Sequence, residues 1–272
     1  MERSIRILDL LSTNKSIKIS QLAELLDVSD VTLRRDLDVL EKRGILCRSH
    51  GYASLDGADD MGKRLAYNHS IKRRIAKAAV QTIEYGETVM IESGSCCILF
   101  AEELALAQKN NTIITNSVFI LNYISSLPGA KINILGGLFQ PESQVLVGPM
   151  TKHNAECFYP DKFFLGTDGF VPEQGFTGRD HLRAETALAL AERSNKVFIL
   201  TESDKFHKRG AYSLIRFDKI NGVFTDDKIP AIAEAVLTKN NVKVHKIPFK
   251  EEHIRWRQYP GQPPFLYVDK EE

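Results

Sequence analysis

From Glu87 onward, short apolar runs alternate with helical stretches, and this alternation constrains the fold more than any other feature of the 272-residue chain. The runs are Thr88-Val89-Met90-Ile91, Thr112-Ile113-Ile114, Lys131-Ile132-Asn133-Ile134-Leu135, Lys162-Phe163-Phe164-Leu165, Val197-Phe198-Ile199-Leu200, Gly222-Val223-Phe224-Thr225 and Val242-Lys243-Val244. Helices are expected from Ser95 to about Ala107, after Ser117, around Ala184–Arg193 and over about Ile229–Thr238. Strands that alternate with helices in this way predict a largely parallel sheet covered on both faces.

In such sheets ligands bind beyond the carboxyl ends of the strands. Polar, glycine-bearing strings stand at five of those ends: Glu92-Ser93-Gly94-Ser95-Cys96-Cys97, Thr115-Asn116-Ser117, Gly136-Gly137, Gly166-Thr167-Asp168-Gly169 and Thr201-Glu202-Ser203-Asp204-Lys205. The first opens a helix, where free backbone N–H groups favour an anion and Gly94 permits close approach. Lys205 suits a phosphate charge, and Asp168 suits sugar hydroxyls. Each string alone reads equally as a capped turn, and Gly136-Gly137 equally as a tight bend. Together they allow a polar anionic ligand. With no G-x-G-x-x-G or G-x-x-x-x-G-K-[ST] string, neither a dinucleotide nor a nucleoside triphosphate is indicated, and no cofactor is expected.

Residues 2–44 carry three short amphipathic segments. Ile7, Leu8 and Leu11 share a face of the first. Ile19, Leu22, Ala23 and Leu26 share one in the second, and Leu33, Leu37 and Leu40 in the third. Ser20 and Ser29 are candidate N-caps, and Gly44 is a candidate stop. The link Leu26-Asp27-Val28-Ser29 is short enough to force a tight corner, the pattern of a helix-turn-helix whose second helix lies in the major groove. Opposite Leu33 point Arg35 and Lys42, with Thr32 and Arg34 on the flanks. Residues 45–55 read as two short strands around a turn, a wing that brings Arg48 and His50 near phosphates. A plain three-helix packing unit with a charged outer face would share the same periodicity.

Charge narrows the mode of any DNA binding. Lys and Arg number 36 against 35 Asp and Glu, a formal net of +1. A protein that holds nucleic acid through bulk charge is therefore excluded, and binding has to come from a local arrangement. Asp56 to Gly62 reads as a linker, and the helix from about Ile71 carries Lys72, Arg73, Arg74 and Lys77 on what is expected to be a solvated face. The expected organisation is a DNA-binding domain over residues 1–55, a linker over 56–70, a ligand-sensing and oligomerisation domain over 71–249 and a tail over 250–272 that packs in cis.

Val28-Ser29-Asp30-Val31-Thr32-Leu33-Arg34-Arg35-Asp36-Leu37, followed by Leu40-Glu41, Gly44 and Arg48-Ser49-His50-Gly51, resembles the winged-helix domain of DeoR-type bacterial regulators. The resemblance continues through Ser93-Gly94-Ser95, Thr115-Asn116-Ser117, Gly136-Gly137, Gly166-Thr167-Asp168-Gly169, Ser203-Asp204-Lys205-Phe206 and Phe224-Thr225-Asp226 into the sensor domain of the same DeoR/GlpR family. It implies an N-terminal winged helix-turn-helix (α with a small β wing) and a C-terminal α/β domain that is ribose-5-phosphate isomerase/CoA-transferase-like. It also implies a phosphorylated sugar as effector and a carbohydrate catabolic operon as target. The DNA-binding residues are then Ser29, Thr32, Arg34, Arg35, Lys42, Arg48 and His50. The effector-binding residues are Ser93, Gly94, Ser95, Cys96, Thr115, Asn116, Ser117, Gly136, Gly137, Asp168, Gly169, Arg183, Glu185 and Lys205. Many relatives read Ser/Cys-Gly-Thr-Thr in the first loop; here Ser95-Cys96 takes that place, and Cys96 is a poor donor to phosphate.

The rival reading is a sugar-phosphate isomerase or deaminase carrying a DNA-binding domain, with Asp168 or Glu185 as general base. Glu185 lies in Gly178-Arg179-Asp180-His181-Leu182-Arg183-Ala184-Glu185, a string read instead as a loop and helix start that carries specificity. No complete catalytic set stands out, so no catalytic residue is assigned and the chain is expected not to be an enzyme. A protein-interaction module without a small ligand is the third reading. Cys96-Cys97 is read as packing at a helix start rather than as a redox sensor, and Cys47 and Cys157 as structural. The seven histidines form no H-x-H or H-E-x-x-H spacing, so no metal is expected. Met1 to Arg6 lacks the apolar core of a secretion signal, and no apolar run approaches the roughly 18 residues of a membrane span. A reducing cytoplasm is the expected setting. Two recognition helices on half-sites about one helical turn apart would need a dimer or larger homo-oligomer.

Overall fold

A computed structural model describes residues 2–14, 16–42, 44–55, 60–248, 254–257 and 265–268. The chain divides into two compact units, Met1–His69 with Phe249–Glu272, and Ser70–Pro248.

The first unit is built from α1 (Glu2–Thr13), β1 (Ser16–Lys18), α2 (Ile19–Leu26), α3 (Asp30–Lys42), β2 (Cys47–Ser49), β3 (Tyr52–Ser54) and α4 (Asp60–Ala66). Leu22, Leu33 and Leu37 are fully buried, so the three-four stripes of α2 and α3 face one another. The corner between them is closed by Asp27 in the left-handed region (φ 53°), whose N–H reaches the carbonyls of Ala23 and Glu24. Ser29 caps α3: its Oγ accepts from the N–H of Thr32 at 3.3 Å. Gly44, at φ 71°, ends the same helix, as its position after the last apolar residue predicts.

Ser20 is not a cap. The helix starts one residue earlier, after Lys18, with no side-chain cap. The reason is β1, which the sequence pattern does not reveal. It pairs antiparallel with β3 in a β1-β3-β2 sheet, and the N–H of Ile19 then donates to Gly51 O at 2.9 Å. His50 (φ 50°) and Gly51 (φ 82°) make the two-residue turn between β2 and β3, where positive φ at both positions matches the twist of the hairpin.

Within the stretch read as a linker, Asp60–Ala66 is helical, and Gly62 packs against Gly44 so closely that a Cβ there would stand 2.8 Å from Gly44 O. The tail stretch 250–272 lies largely outside the described residues. Its two described pieces, β16 (Ile254–Arg257) and β17 (Phe265–Val268), are numbered last in the chain and pair antiparallel.

The second unit opens at the second residue of α5 (His69–Val80) and continues β4 (Thr88–Ile91), α6 (Ser95–Ala107), β5 (Thr112–Thr115), α7 (Val118–Ile124) and β6 (Ile132–Ile134). Next come β7 (Leu138–Gln140), β8 (Val145–Val147), α8 (Pro149–Ala155), β9 (Lys162–Leu165), β10 (Gly169–Val171), β11 (Gly175–Gly178) and α9 (His181–Glu192). It closes with β12 (Lys196–Leu200), β13 (Tyr212–Arg216), β14 (Gly222–Asp226), α10 (Ala231–Lys239) and β15 (Lys243–Ile247). All seven expected strands join one sheet, in the order β15-β14-β12-β9-β4-β5-β6, with every pairing parallel.

Alternate residues of the central strands serve the two faces. Phe164, Phe198 and Phe224 follow one another on one side, the first two stacked and the last two tilted, with the ring of Phe100 of α6 4.2 Å from that of Phe164. Phe163, Leu165, Val197, Ile199 and Val223 join the core on the other. That two-sided burial is why these strands read as continuous apolar runs. The hairpin β7-β8 and the antiparallel sheet β10-β11-β13 are additions beyond the alternating pattern.

Half of the basic run on α5 departs from expectation: Lys77 is exposed and Arg74 half-buried, but Lys72 and Arg73 are buried. Lys72 is 2% exposed and Arg73 7%. Lys72 Nζ lies 3.2 Å from Glu202, and Arg73 pairs with Glu102 and Glu103 of α6. A cation is buried only where an anion meets it, and here both partners come from distant strand-end and helix positions. Cys157 is exposed and Cys47 half-buried, so the structural role expected of Cys157 is not seen, whereas Cys96 and Cys97 are buried. Among the described residues no helix is long and apolar enough to cross a membrane.

Candidate functional site

In the first unit, α3 sorts its residues by face. Leu33, Leu37 and Leu40 are buried, and Ser29, Arg34, Arg35 and Lys42 are exposed, with Thr32 at the margin. Ser29 Oγ and Thr32 Oγ1 are 2.9 Å apart, so both hydroxyls are engaged in the cap. Arg48 is not turned outward like the α3 cations. Its guanidinium and its backbone N–H are both bound to Glu41, and its Nη2 also reaches Asp38 at 2.5 Å. His50 sits at the exposed tip of the wing, its Nδ1 2.7 Å from Ser49 Oγ.

In the second unit the strand order reverses between β4 and β9, which lie side by side. Such a reversal opens a crevice at the carboxyl edge of the sheet. The two loops that leave it are in backbone contact: a Cβ on Gly166 would stand 3.4 Å from Ser93 O, and one on Gly94 3.5 Å from Gly166 Cα. Gly94, at φ 139°, leads into α6 without a side-chain cap. The backbone ladder of α6 begins with the N–H of Ile98 on Gly94 O at 2.9 Å, and the N–H groups of Ser95, Cys96 and Cys97 precede it in the first turn. Ser95 is half-buried and Cys96 buried.

Around this crevice stand Glu92, Ser93, Asp168 and Arg183. Asp180 caps α9 by accepting from the N–H of Arg183 at 2.8 Å. One turn of helix then carries the Arg183 guanidinium to Ser93 Oγ (2.9 Å) and Glu92 Oε1 (3.2 Å). Burial pushes the Glu92 carboxyl up from its ordinary range, and the neighbouring Arg183 only partly offsets this. For Arg183, burial opposes the charge, but Glu92 and Asp168 outweigh it and raise the guanidinium further. Asp168 Oδ2 accepts from the N–H of Arg179 at 3.1 Å. Glu202 is likewise raised by burial, with Lys72 and Lys205 pulling the other way. Lys205, on the 3-10 turn Ser203–His207, is half-buried.

Hydrogen bonding separates the remaining candidates. Thr115 Oγ1 donates to Ile91 O at 2.6 Å and Ser117 Oγ caps α7, so both hydroxyls serve the fold. Asn116 donates to Leu146 O at 2.9 Å, but its Oδ1 is buried without a partner, as is Arg183 Nε. Buried polar atoms of this kind call for a water or a ligand. Gly136 and Gly137 face α8, where a Cβ on Gly137 would be 2.0 Å from Thr151 Oγ1. Gly169 is required by the approach of Lys208 O, 2.4 Å from where its Cβ would be. Glu185 projects from the exposed side of α9 and pairs with Lys152 at 3.1 Å.

Two family models match the chain. A DeoR-like helix-turn-helix domain covers residues 3–57, and a DeoR C terminal sensor domain covers residues 67–227. The chain belongs to the DeoR family. Like its curated relatives it is a transcriptional regulator. It is 28% identical to the HTH-type transcriptional regulator GolR of Listeria innocua, over 84% of this chain and 91% of that one. It is 29% identical to a lactose phosphotransferase system repressor of Staphylococcus epidermidis, over 83% and 92%. It is 25% identical to the L-fucose operon activator of Haemophilus influenzae, over 82% and 91%. Among solved structures it resembles ribose 5-phosphate isomerase A from Methanocaldococcus jannaschii at 17% identity and a TM-score of 0.37, over 51% of this chain and 55% of that one.

For this DeoR-family chain, then, the structure groups Ser93, Gly94, Ser95, Asp168 and Arg183 around one crevice, and sets Glu185 apart on a solvated face. Sequence reasoning passed over Glu92 and Glu202 as acids and took Lys72 for a solvated residue. The available signal was the position of Glu92 and Glu202: the first directly follows an apolar strand and the second stands two residues beyond one, where a buried carboxylate has to be paired.

Proposed function

We propose that this DeoR-family regulator represses a carbohydrate operon and is released by a small phosphorylated sugar, acting in the cytoplasm as a homo-oligomer and catalysing no reaction. The observation that carries the DNA half is the sorting of α3, with its apolar stripe buried and Arg34, Arg35 and Lys42 exposed along the helix. Thr32, Arg34 and Arg35 lie in its first half, the part of a recognition helix that meets base edges. Arginine suits guanine through two hydrogen bonds, while Ser29, Lys42 and His50 would reach phosphates.

The effector half rests on two features of the second unit: α6 starts on Gly94 without a side-chain cap, and Asn116 Oδ1 and Arg183 Nε are buried atoms that lack hydrogen-bond partners. The N–H groups of Ser95, Cys96 and Cys97, with Lys205, would hold the phosphate, and Asp168 and Asn116 the hydroxyls. Gly136, Gly137 and Gly169 shape the backbone around the crevice, and Thr115 and Ser117 fix the loop that carries Asn116. The relative named as a lactose phosphotransferase system repressor supports this reading, and the L-fucose operon activator marks the opposite sign as the outcome to test. Against catalysis, Lys152 holds the Glu185 carboxyl below its ordinary range, which makes it a weak base.

The test has two steps. The purified chain is used to select duplexes from a random-sequence pool, and the selected duplex is then titrated in the presence of a panel of sugar phosphates. One of these should lower the affinity by the roughly 5–150-fold typical of coupled sites. A pool that yields no consensus refutes the DNA half. A consensus whose affinity no sugar phosphate changes refutes the effector half.

A further inference from the structure

The recognition helix has a charge problem. Between Asp30 and Lys42 it holds three cations (Arg34, Arg35, Lys42) and four acids (Asp30, Asp36, Asp38, Glu41), a formal net of −1. A helix of that sign is repelled by a phosphate backbone. Three of its acids are met by arginines from other elements. Arg3 of α1 pairs with Asp36, with one contact at 3.2 Å. Arg48 of β2 takes both Asp38 and Glu41.

The Arg48 contacts are geometrically specific. Its backbone N–H donates to Glu41 Oε1 at 2.9 Å, while Nε and Nη2 donate to Oε2 at 2.9 and 2.6 Å. Four hydrogen-bonding or ionic contacts thus run from one wing residue to the last two turns of α3. The mutual effect is visible in both groups: Arg48 lowers the Glu41 carboxyl chiefly through these hydrogen bonds, and Glu41 raises Arg48.

We propose that Arg48 is a positioning residue, which clamps the wing to the recognition helix and masks Asp38 and Glu41, and is not itself a phosphate contact. This rests on the reading of α3 as the DNA-reading helix. With the wing fixed, His50 at its tip has one placement relative to Arg34 and Arg35. With the two acids masked, the cations of α3 dominate the face.

Two substitutions distinguish a clamp from a phosphate contact by the sign of their effect. Glu41→Gln removes a negative charge from the DNA-facing unit, so simple electrostatics predicts tighter binding. A clamp predicts weaker binding. Arg48→Lys keeps the charge but loses the planar fork, which a phosphate contact tolerates and a clamp does not.

The probe is the duplex that the unaltered full-length chain selects from a random pool, with binding measured at several salt concentrations and thermal unfolding recorded for each variant. We expect each single variant to lose about tenfold in affinity for the selected duplex, the scale of one charge-assisted hydrogen bond, with an unchanged salt slope. The double variant E41Q/R48K should lose no more than either single one, because the pair acts as a unit. Equal or tighter binding by E41Q, or near-native binding by R48K, overturns the clamp. If the unaltered chain selects no duplex, the DNA-reading assignment of α3 fails instead.

Discussion

Replacing Arg183 with Met tests the electrostatic logic of the sensor crevice. The change leaves Glu92, 4% exposed, without its cation, while Ser93 Oγ still donates to it. A buried carboxylate stripped of its partner costs about 3–5 kcal/mol. The carboxyl has an escape, which is to take up a proton. From the ordinary glutamate value of 4.5, neutralising it at pH 7 costs about 3.4 kcal/mol, at about 1.36 kcal/mol per pH unit. At pH 5 the same step costs only about 0.7 kcal/mol.

The sign follows from linkage. In the variant the folded state holds a proton that the unfolded state releases above about pH 4.5, so stability falls as pH rises. Calorimetry of R183M against the unaltered chain should therefore show the α/β unit melting about 6–12 °C lower at pH 7 and only about 1–3 °C lower at pH 5. The double variant E92Q/R183M should recover most of the loss at pH 7. A deficit of equal size at both pH values, or a double variant no better than R183M, would refute the reasoning.

Other consequences are simpler to state. Arg35→Ala should cost about 1–3 kcal/mol of binding to the selected duplex and relax preference at one base position if Arg35 reads a base, or lower the salt slope by about one if it holds phosphate; unchanged binding removes it from the interface. Lys205→Ala should weaken the thermal shift given by a sugar phosphate while leaving duplex affinity intact, and equal loss of both would point to a folding defect. Leu37→Ala, at a fully buried position between the helices, should destabilise the DNA-binding unit by about 2–5 kcal/mol, read by urea titration of its transition. Gly169→Ala places a methyl 2.4 Å from Lys208 O, so the sensor unit should melt well below the unaltered chain; a change of under about 1 °C would show that this backbone gives way.

The sequence by itself determined the local elements and their order. Seven apolar runs became seven parallel strands; β4, β5, β9, β12 and β14 are buried on both faces, and such strands announce themselves by composition alone, while the edge strands β6 and β15 are partly exposed. The corner at Asp27, the cap at Ser29 and the stop at Gly44 were equally legible, since capping depends on residues within a few positions of one another. The three-residue strands β1, β7 and β10 were not, because two or three alternations carry no period, and it is pairing that makes them strands, with a distant segment for β1 and with the next strand for β7 and β10.

Only the tertiary structure decided what the charged residues do. Arg183 and Glu92 lie 91 positions apart, and Arg48 and Glu41 face one another across the end of a helix. Lys72 shares the Ile75 side of α5 by helical periodicity, but its charge is met only because the carboxyl end of β12 brings Glu202 to it. Apolar burial is nearly indifferent to partner identity, so pattern suffices to predict it. An ion pair exists only where two particular atoms come within about 4 Å, and that is a property of the folded chain.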